Sequence, residues 1–106
     1  MVSFLKEGRF GMIKVVAQFF IRNGEVEKAL TLGRELVLET RKENGCISYE
    51  LCQSLKSEGQ IAFIEEWENQ AALDAHFQTP HFTGLVPKLL ELTEQETVIA
   101  AFRKVA

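Results

Sequence analysis

The stretch MIKVVAQFFI, residues 12–21, decides the fold. It is dominated by β-branched and aromatic residues, which is typical of a β-strand. Successive side chains of a strand point to opposite faces of a sheet, and this stretch is largely apolar at both sets of alternate positions. The pattern therefore predicts a strand in a sheet that has apolar residues on both of its faces.

Downstream of this strand, the hydrophobic spacing changes between helical and extended segments. Asn69 and Thr79 are residues of the kind that cap helices, and Pro80 fits the first position of one. The predicted elements are a strand over 12–21, a helix over 26–40, strands over 46–55 and 60–68, a short helix over 70–78, a helix over 80–92 and a strand over 97–104. We also expect a kink or break between Thr83 and Pro87, because proline removes one helical hydrogen bond.

This order, β-α-β-β-α-β, is that of the ferredoxin-like fold, an α+β architecture with a four-stranded antiparallel sheet and helices on one face. Alternation places on one face Ile13, Val15, Ala17, Phe19, Ile61, Phe63 and Trp67. It places on the other face Val16, Phe20, Ala62, Ile64, Val98, Ala100 and Phe102. A face left to water would carry polar residues, so the second face needs a partner, and a second copy of the chain is the simplest one. The sequence predicts a homodimer through this sheet face.

Length and charge limit the class of protein. The 106 residues, 46% of them hydrophobic, suit one domain with one core. The net charge of −3 comes from interleaved acidic and basic residues, which argues against nucleic acid and membrane surfaces as partners. Residues 1–11 are expected to be either an ordered extension or a leader upstream of a start at Met12, with the domain over 12–106.

The two cysteines, Cys46 and Cys52, are six residues apart, which fits neither a redox Cys-x-x-Cys motif nor a zinc half-site. On one strand they would share a face but lie roughly 20 Å apart, too far to be bridged. We therefore expect reduced thiols and a cytoplasmic protein.

Residues able to do chemistry concentrate between Glu65 and Phe82, where both histidines and the only tryptophan lie. His76 is a candidate proton acceptor, although a histidine at a helix end often only caps carbonyls. Trp67 is either a functional residue or a core anchor. A carboxylate of Glu65 on the apolar face must be paired or useful. No phosphate loop, nucleophile elbow or cysteine–histidine cluster is present, so nothing in the sequence favours a nucleotide or a metal.

Three segments together resemble the antibiotic biosynthesis monooxygenase family. They are residues 43–50, 63–68 and 75–82, read as ENGCISYE, FIEEWE and AHFQTPHF, and the resemblance spans residues 12 to about 104. It implies a dimeric α+β barrel, each subunit having a pocket between its sheet and its helices. Some members oxygenate anthrones or quinols with molecular oxygen and need neither metal nor flavin.

The resemblance also implies roles for particular residues. His76 would accept the substrate proton, and Trp67 would donate its N–H to the developing oxyanion or form a wall. The substrate pocket would be lined by Val15, Ala17, Phe63, Glu65, Phe82 and Leu85.

Two other branches of the family supply alternatives. Haem-degrading relatives have an asparagine and an iron-ligating histidine where this chain has Ala17 and Val86, which argues against haem. Isomerases of phosphorylated sugars would need a cationic pocket group that the sequence does not identify. A non-catalytic module that binds an apolar metabolite stays open beside the oxygenase hypothesis.

Overall fold

A computed structural model describes residues 12–106. Its elements are β1 (Ile13–Ile21), α1 (Val26–Thr40), β2 (Cys46–Gln53), β3 (Gln60–Trp67), α2 (Gln70–His76), α3 (Pro80–Leu90) and β4 (Thr93–Arg103). The four strands form one antiparallel sheet in the order β2-β3-β1-β4. The predicted α+β fold and its four-stranded antiparallel sheet are confirmed. The predicted extension over residues 1–11 lies outside the described residues.

The helices cover one face of the sheet, which we call the covered face. Val15 pairs with Glu65 and Ala17 with Phe63 across β1 and β3, so these four side chains share that face. All four are buried. Helix α1 approaches closely at Gly33, where an added Cβ would lie 2.7 Å from Leu51 Cδ2. A small residue at this position lets the helix pack directly on the sheet.

The opposite face, which we call the open face, is not covered by any helix of residues 12–106. The register confirms the predicted alternation, since Val16 pairs with both Ile64 and Ala100. Ile64, Val98 and Phe102 are 43%, 49% and 54% exposed, respectively. The single chain therefore presents an apolar sheet surface to its surroundings.

Strand β2 departs from the regular alternation that we expected. A register shift between Cys46 and Ser48 makes Cys46 pair with Trp67, whereas Cys52 pairs with Ala62. Because Trp67 and Ala62 lie on opposite faces, the prediction that the two cysteines share a face is wrong. Both thiols are free, as expected.

The second half of the chain also differs in detail. Helix α3 runs without a break from Pro80 to Leu90 and contains Pro87, so the predicted break does not occur. Strand β4 begins at Thr93, four residues earlier than predicted. Side chains cap the two short helices as predicted, with Asn69 accepting from the backbone N–H of Ala72 and Thr79 from that of Phe82. Within residues 12–106, no helix is long and apolar enough to cross a membrane.

Candidate functional site

Three residues from separate parts of the chain form a hydrogen-bonded cluster at one end of the covered face. Glu43 lies in the turn between α1 and β2, His76 ends α2, and His81 is the second residue of α3. The same carboxylate oxygen, Glu43 Oε2, lies 2.7 Å from His76 Nδ1 and 2.6 Å from His81 Nε2. We call these residues the Glu-His-His cluster.

The turn that carries Glu43 depends on Gly45. Gly45 has a φ of +85°, a region that favours glycine, and an added Cβ would lie 2.5 Å from the Cβ of Ala72 in α2. The Gly45 carbonyl accepts a hydrogen bond of 2.9 Å from the backbone N–H of Glu68. This turn therefore packs directly on α2, and Glu43 comes within reach of His76.

His76 is 1% exposed, and aromatic side chains surround its ring. The ring centroids of Trp67, Phe82 and Tyr49 lie 4.7, 5.0 and 5.5 Å from that of His76. Burial lowers the pKa of His76, and the hydrogen bond and charge of Glu43 partly oppose this effect. The imidazole is therefore neutral at pH 7 and able to accept a proton.

The two nitrogens of His76 have different surroundings. A carboxylate only accepts hydrogen bonds, so Nδ1 carries the proton that is donated to Glu43. Nε2 is buried and has no hydrogen-bond partner among the described residues. The ring does not cap helix α2, whose His76 carbonyl instead accepts from Thr79 Oγ1 at 2.8 Å. The capping interpretation therefore fails, and an unused basic nitrogen remains inside the protein.

Trp67 and Glu65 form a second buried pair beside His76. Trp67 Nε1 donates to Glu65 Oε1 at 2.9 Å, and the two residues are 0% and 6% exposed. Burial raises the pKa of Glu65 to about 7, while the bond from Trp67 acts in the opposite direction. Tyr49 is buried next to this pair, and burial raises the pKa of its hydroxyl. The indole N–H of Trp67 is donated to Glu65, so it is not free to bind an oxyanion in the way that the family resemblance implied.

Four of the five apolar residues predicted to line a pocket are buried. Val15, Ala17, Phe63 and Leu85 belong to the buried core cluster. Phe82 is only partly buried, and its ring also packs on that of Phe77, which is 41% exposed. The ring of Phe77 also lies 5.8 Å from that of His76, so Phe77 and Phe82 both contact the buried imidazole from the more exposed side.

A groove of about 470 Å³ lies elsewhere, between α1 and β2. Its lining consists of Leu30, Arg34, Val37, Leu38, Arg41, Leu51, Cys52 and Gln53. None of the residues predicted to bind substrate contributes to it.

The Glu-His-His cluster also contains the donor atoms of a possible metal site, because its three ligand atoms lie within 4.8 Å of one another. Ligand atoms around a tetrahedral zinc ion at about 2.0–2.2 Å would be about 3.3–3.6 Å apart. The observed distances of 2.7 and 2.6 Å are instead those of charge-assisted hydrogen bonds. Val86, which the resemblance placed at the iron-ligating position of haem-degrading relatives, has a partly buried hydrocarbon side chain that cannot ligate iron.

The sequence predictions did not include Glu43 as a site residue and assigned no role to His81. His81 has 17% of its side chain exposed and hydrogen-bonds the same oxygen as His76. The available signal was the presence of Glu43 and His81 in the two outer segments of the family resemblance. Spacing gave no such signal, because Glu43 lies 33 and 38 residues before the two histidines.

The fold and the site define a ferredoxin-like α+β protein with a buried, carboxylate-bound histidine beside aromatic residues. The sequence model of the antibiotic biosynthesis monooxygenase family matches residues 12–88. The chain therefore belongs to this family, and the resemblance seen in the sequence is confirmed.

Individual relatives agree with this assignment. An uncharacterized protein of Synechocystis is 32% identical over 91 residues, which cover 86% of this chain and 62% of that relative, so this chain spans less than two thirds of it. A protein of Escherichia coli named "Probable quinol monooxygenase YgiN" is 33% identical over 81 residues, covering 66% of this chain and 77% of that relative. A solved structure described as "Crystal structure of antibiotic biosynthesis monooxygenase" is 41% identical, with a TM-score of 0.85, and the match covers 89% of this chain and 99% of that one.

Proposed function

We propose that the chain is a cofactor-independent monooxygenase that oxidises a hydroxylated aromatic compound or a quinol with molecular oxygen. The observation that carries this proposal is the buried Nε2 of His76, which has no partner among the described residues while Nδ1 donates to Glu43. A neutral imidazole held in this way is a suitable general base. Family membership and the name of the Escherichia coli relative support the reaction class.

In this reaction, Nε2 of His76 removes the acidic proton of a phenol or an anthrone. The resulting anion transfers one electron to oxygen, and the two radicals combine to form a peroxide on carbon. For an anthrone, loss of water then leaves a carbonyl, so that one CH₂ group and one O₂ become one C=O group and one H₂O. The substrate supplies all the electrons, and no external reductant is required.

The neighbouring residues would assist through their charge and shape. At pH values below about 7, the buried Glu65 is protonated and can donate an O–H hydrogen bond to a substrate oxygen. Trp67 would hold Glu65 and form a wall, while Val15, Ala17, Phe63 and Leu85 would contact the substrate rings. Because the site is closed, we propose that substrate enters by displacement of Phe82.

Oxygen uptake over a panel of anthrones and hydroquinones tests this function. We expect His76→Gln to lower kcat by about 10²- to 10⁴-fold. Asp74→Asn, on the exposed surface of the same helix, is the matched control and should retain activity. Equal activity in the His76 variant would remove the proposed base. Tight binding without oxygen uptake would indicate a non-catalytic binding module, and deuterium exchange into the substrate under nitrogen would indicate an isomerase.

We further propose that two chains associate through the open face and that the protein works in the cytoplasm. The support for the dimer is the apolar open face, where Ile64, Val98 and Phe102 are exposed together. The support for the compartment is the pair of free thiols, which persist in reducing surroundings.

The dimer can be tested with a charge placed on the open face. We expect the protein to sediment as a dimer and Ile64→Lys to sediment as a monomer, because the new ammonium would be buried without a partner. Leu38→Lys introduces the same charge at an exposed position of α1 and should remain dimeric. A monomeric parent protein, or a dimeric Ile64 variant, would contradict the proposal.

A further inference from the structure

We propose that Glu43 is a positioning residue that fixes the protonation pattern of His76, and that His81 holds Glu43 in place. The role of this arrangement in turnover rests on the proposed function. The arrangement itself can be tested without any substrate. Neither residue is a catalytic residue in this proposal, because neither contacts the reacting atoms.

The protonation pattern of His76 decides whether it can act as a base at its buried nitrogen. A neutral imidazole carries its proton on one of two nitrogens, and only the other one can accept. Glu43 Oε2 is 2.7 Å from Nδ1, and it stabilises the form that has hydrogen there. Nε2, which faces no partner among the described residues, is then the accepting nitrogen.

Glu43 also stabilises the product of proton transfer. A protonated imidazole is disfavoured among the rings of Trp67, Tyr49 and Phe82, since burial lowers its pKa. The hydrogen bond and the charge of Glu43 act in the opposite direction. The carboxylate can therefore stabilise the imidazolium, as an acidic residue does behind a catalytic histidine.

His81 supplies the second constraint on the same oxygen. Its Nε2–H, in the first turn of α3, donates to Glu43 Oε2 at 2.6 Å. The carboxylate is only 11% exposed, so two hydrogen bonds hold a side chain that has little contact with water. Loss of either bond should leave Glu43 free to rotate away from His76.

Nitrogen-15 NMR of the full chain tests this inference directly. The chain has only two histidines, so four ring nitrogens account for all the imidazole signals. We expect the parent protein at neutral pH to show His76 protonated at Nδ1 and unprotonated at Nε2. The opposite pattern in the parent protein would overturn the inference, even if a variant fails to fold.

Variants then separate positioning from a merely structural role. Glu43→Gln should give a mixture of the two His76 forms, because an amide can either accept from Nδ1 or donate to it. The pKa of His76 should fall, because the charge of Glu43 that raises it is lost. His81→Gln keeps an N–H donor and should preserve the parent pattern, whereas His81→Ala should weaken it. An unchanged His76 pattern and pKa in Glu43→Gln would contradict the inference.

Three other titratable groups lie near His76, and their titration must be followed in the same experiment. They are Tyr49 of β2, Glu65 of β3 and His81 of α3.

Activity measurements provide a second test of the positioning role of Glu43. If oxygen uptake is observed, Glu43→Gln should lower kcat roughly 100-fold with little change in KM, since a misplaced base affects the reaction step. The acid limb of its pH profile should move to lower pH, following the pKa of His76. The expected NMR result with no oxygen uptake on any substrate would count against the proposed function alone, and the positioning role of Glu43 would stand.

Discussion

Strand β3 carries one isoleucine and one glutamate on each face of the sheet, and the burial of these side chains differs between the two faces. Ile61 is completely buried on the covered face, whereas Ile64 is 43% exposed on the open face. Glu65 is buried and bonded to Trp67, whereas the next residue, Glu66, forms an ion pair of 3.3 Å with Lys14. The environment of each residue is therefore set by the face it occupies and not by its chemical type.

This difference has a physical cause that extends to the candidate site. Helices exclude water from the covered face, so a carboxyl group there is protonated more readily and an imidazole less readily. His76 and Glu65, whose pKa values are shifted in these two directions, both lie on the covered side. Unpaired polar atoms and perturbed acids are typical of functional sites. The open face offers apolar surface, which is suited to association.

The largest difference in the free energy of unfolding is expected between alanine variants of the two isoleucines. Ile61→Ala should lower the free energy of unfolding by about 2–5 kcal/mol, because it leaves a cavity in a packed core. Ile64→Ala should cost at most about 1 kcal/mol at low protein concentration, where the open face has no partner. Urea unfolding of both variants over a range of protein concentrations measures this contrast. Equal costs at the lowest concentration would show that the open face is packed within the single chain.

The next effect is a pH dependence on the covered face. The pKa of Glu65 is raised to about 7 in the folded chain, against an ordinary value of 4.5. Folding therefore favours the protonated acid, and its contribution to stability is lost as pH rises from about 4.5 to 7. This shift of about 2.5 pH units corresponds to about 3 kcal/mol.

Glu65→Gln cannot ionise and should gain stability relative to the parent protein by up to this amount between pH 4 and 8. Glu66→Gln removes the same formal charge from the open face and is the control for general charge effects. Urea unfolding at a series of pH values measures both. A constant difference between the Glu65 variant and the parent protein would mean that folding does not change the pKa of Glu65.

A smaller effect is expected when the donor to Glu65 is removed. Trp67→Phe keeps an aromatic ring but leaves Glu65 Oε1 without its 2.9 Å bond, which should cost about 1–3 kcal/mol. Because this bond lowers the pKa of Glu65, the pKa should rise further in the variant. Carbon-13 NMR of the Glu65 carboxyl group would detect the change. An unchanged titration would contradict the described pair.

The sequence allowed the sheet, its two faces and most element boundaries to be predicted, because alternation and helical spacing are local properties of the chain. Local pattern could not show the bulge between Cys46 and Ser48, which reverses the face of Cys46. It could identify His76 as a candidate base but not its partner. Glu43 reaches His76 only because Gly45 packs the preceding turn against α2, a contact between segments distant in sequence.

The smallest effect is expected for the charged pair on the open face. Lys14 Nζ lies 3.3 Å from Glu66 Oε1, and the lysine side chain is 48% exposed, so solvent screens the attraction. Exposed pairs of this kind typically contribute about 0–1 kcal/mol. Lys14→Gln should therefore change the free energy of unfolding by less than about 1 kcal/mol, and salt should reduce the change further. A cost above about 2 kcal/mol in urea unfolding would mean that this pair is buried in solution. No helix within residues 12–106 covers this pair, so the covering surface would have to come from outside these residues.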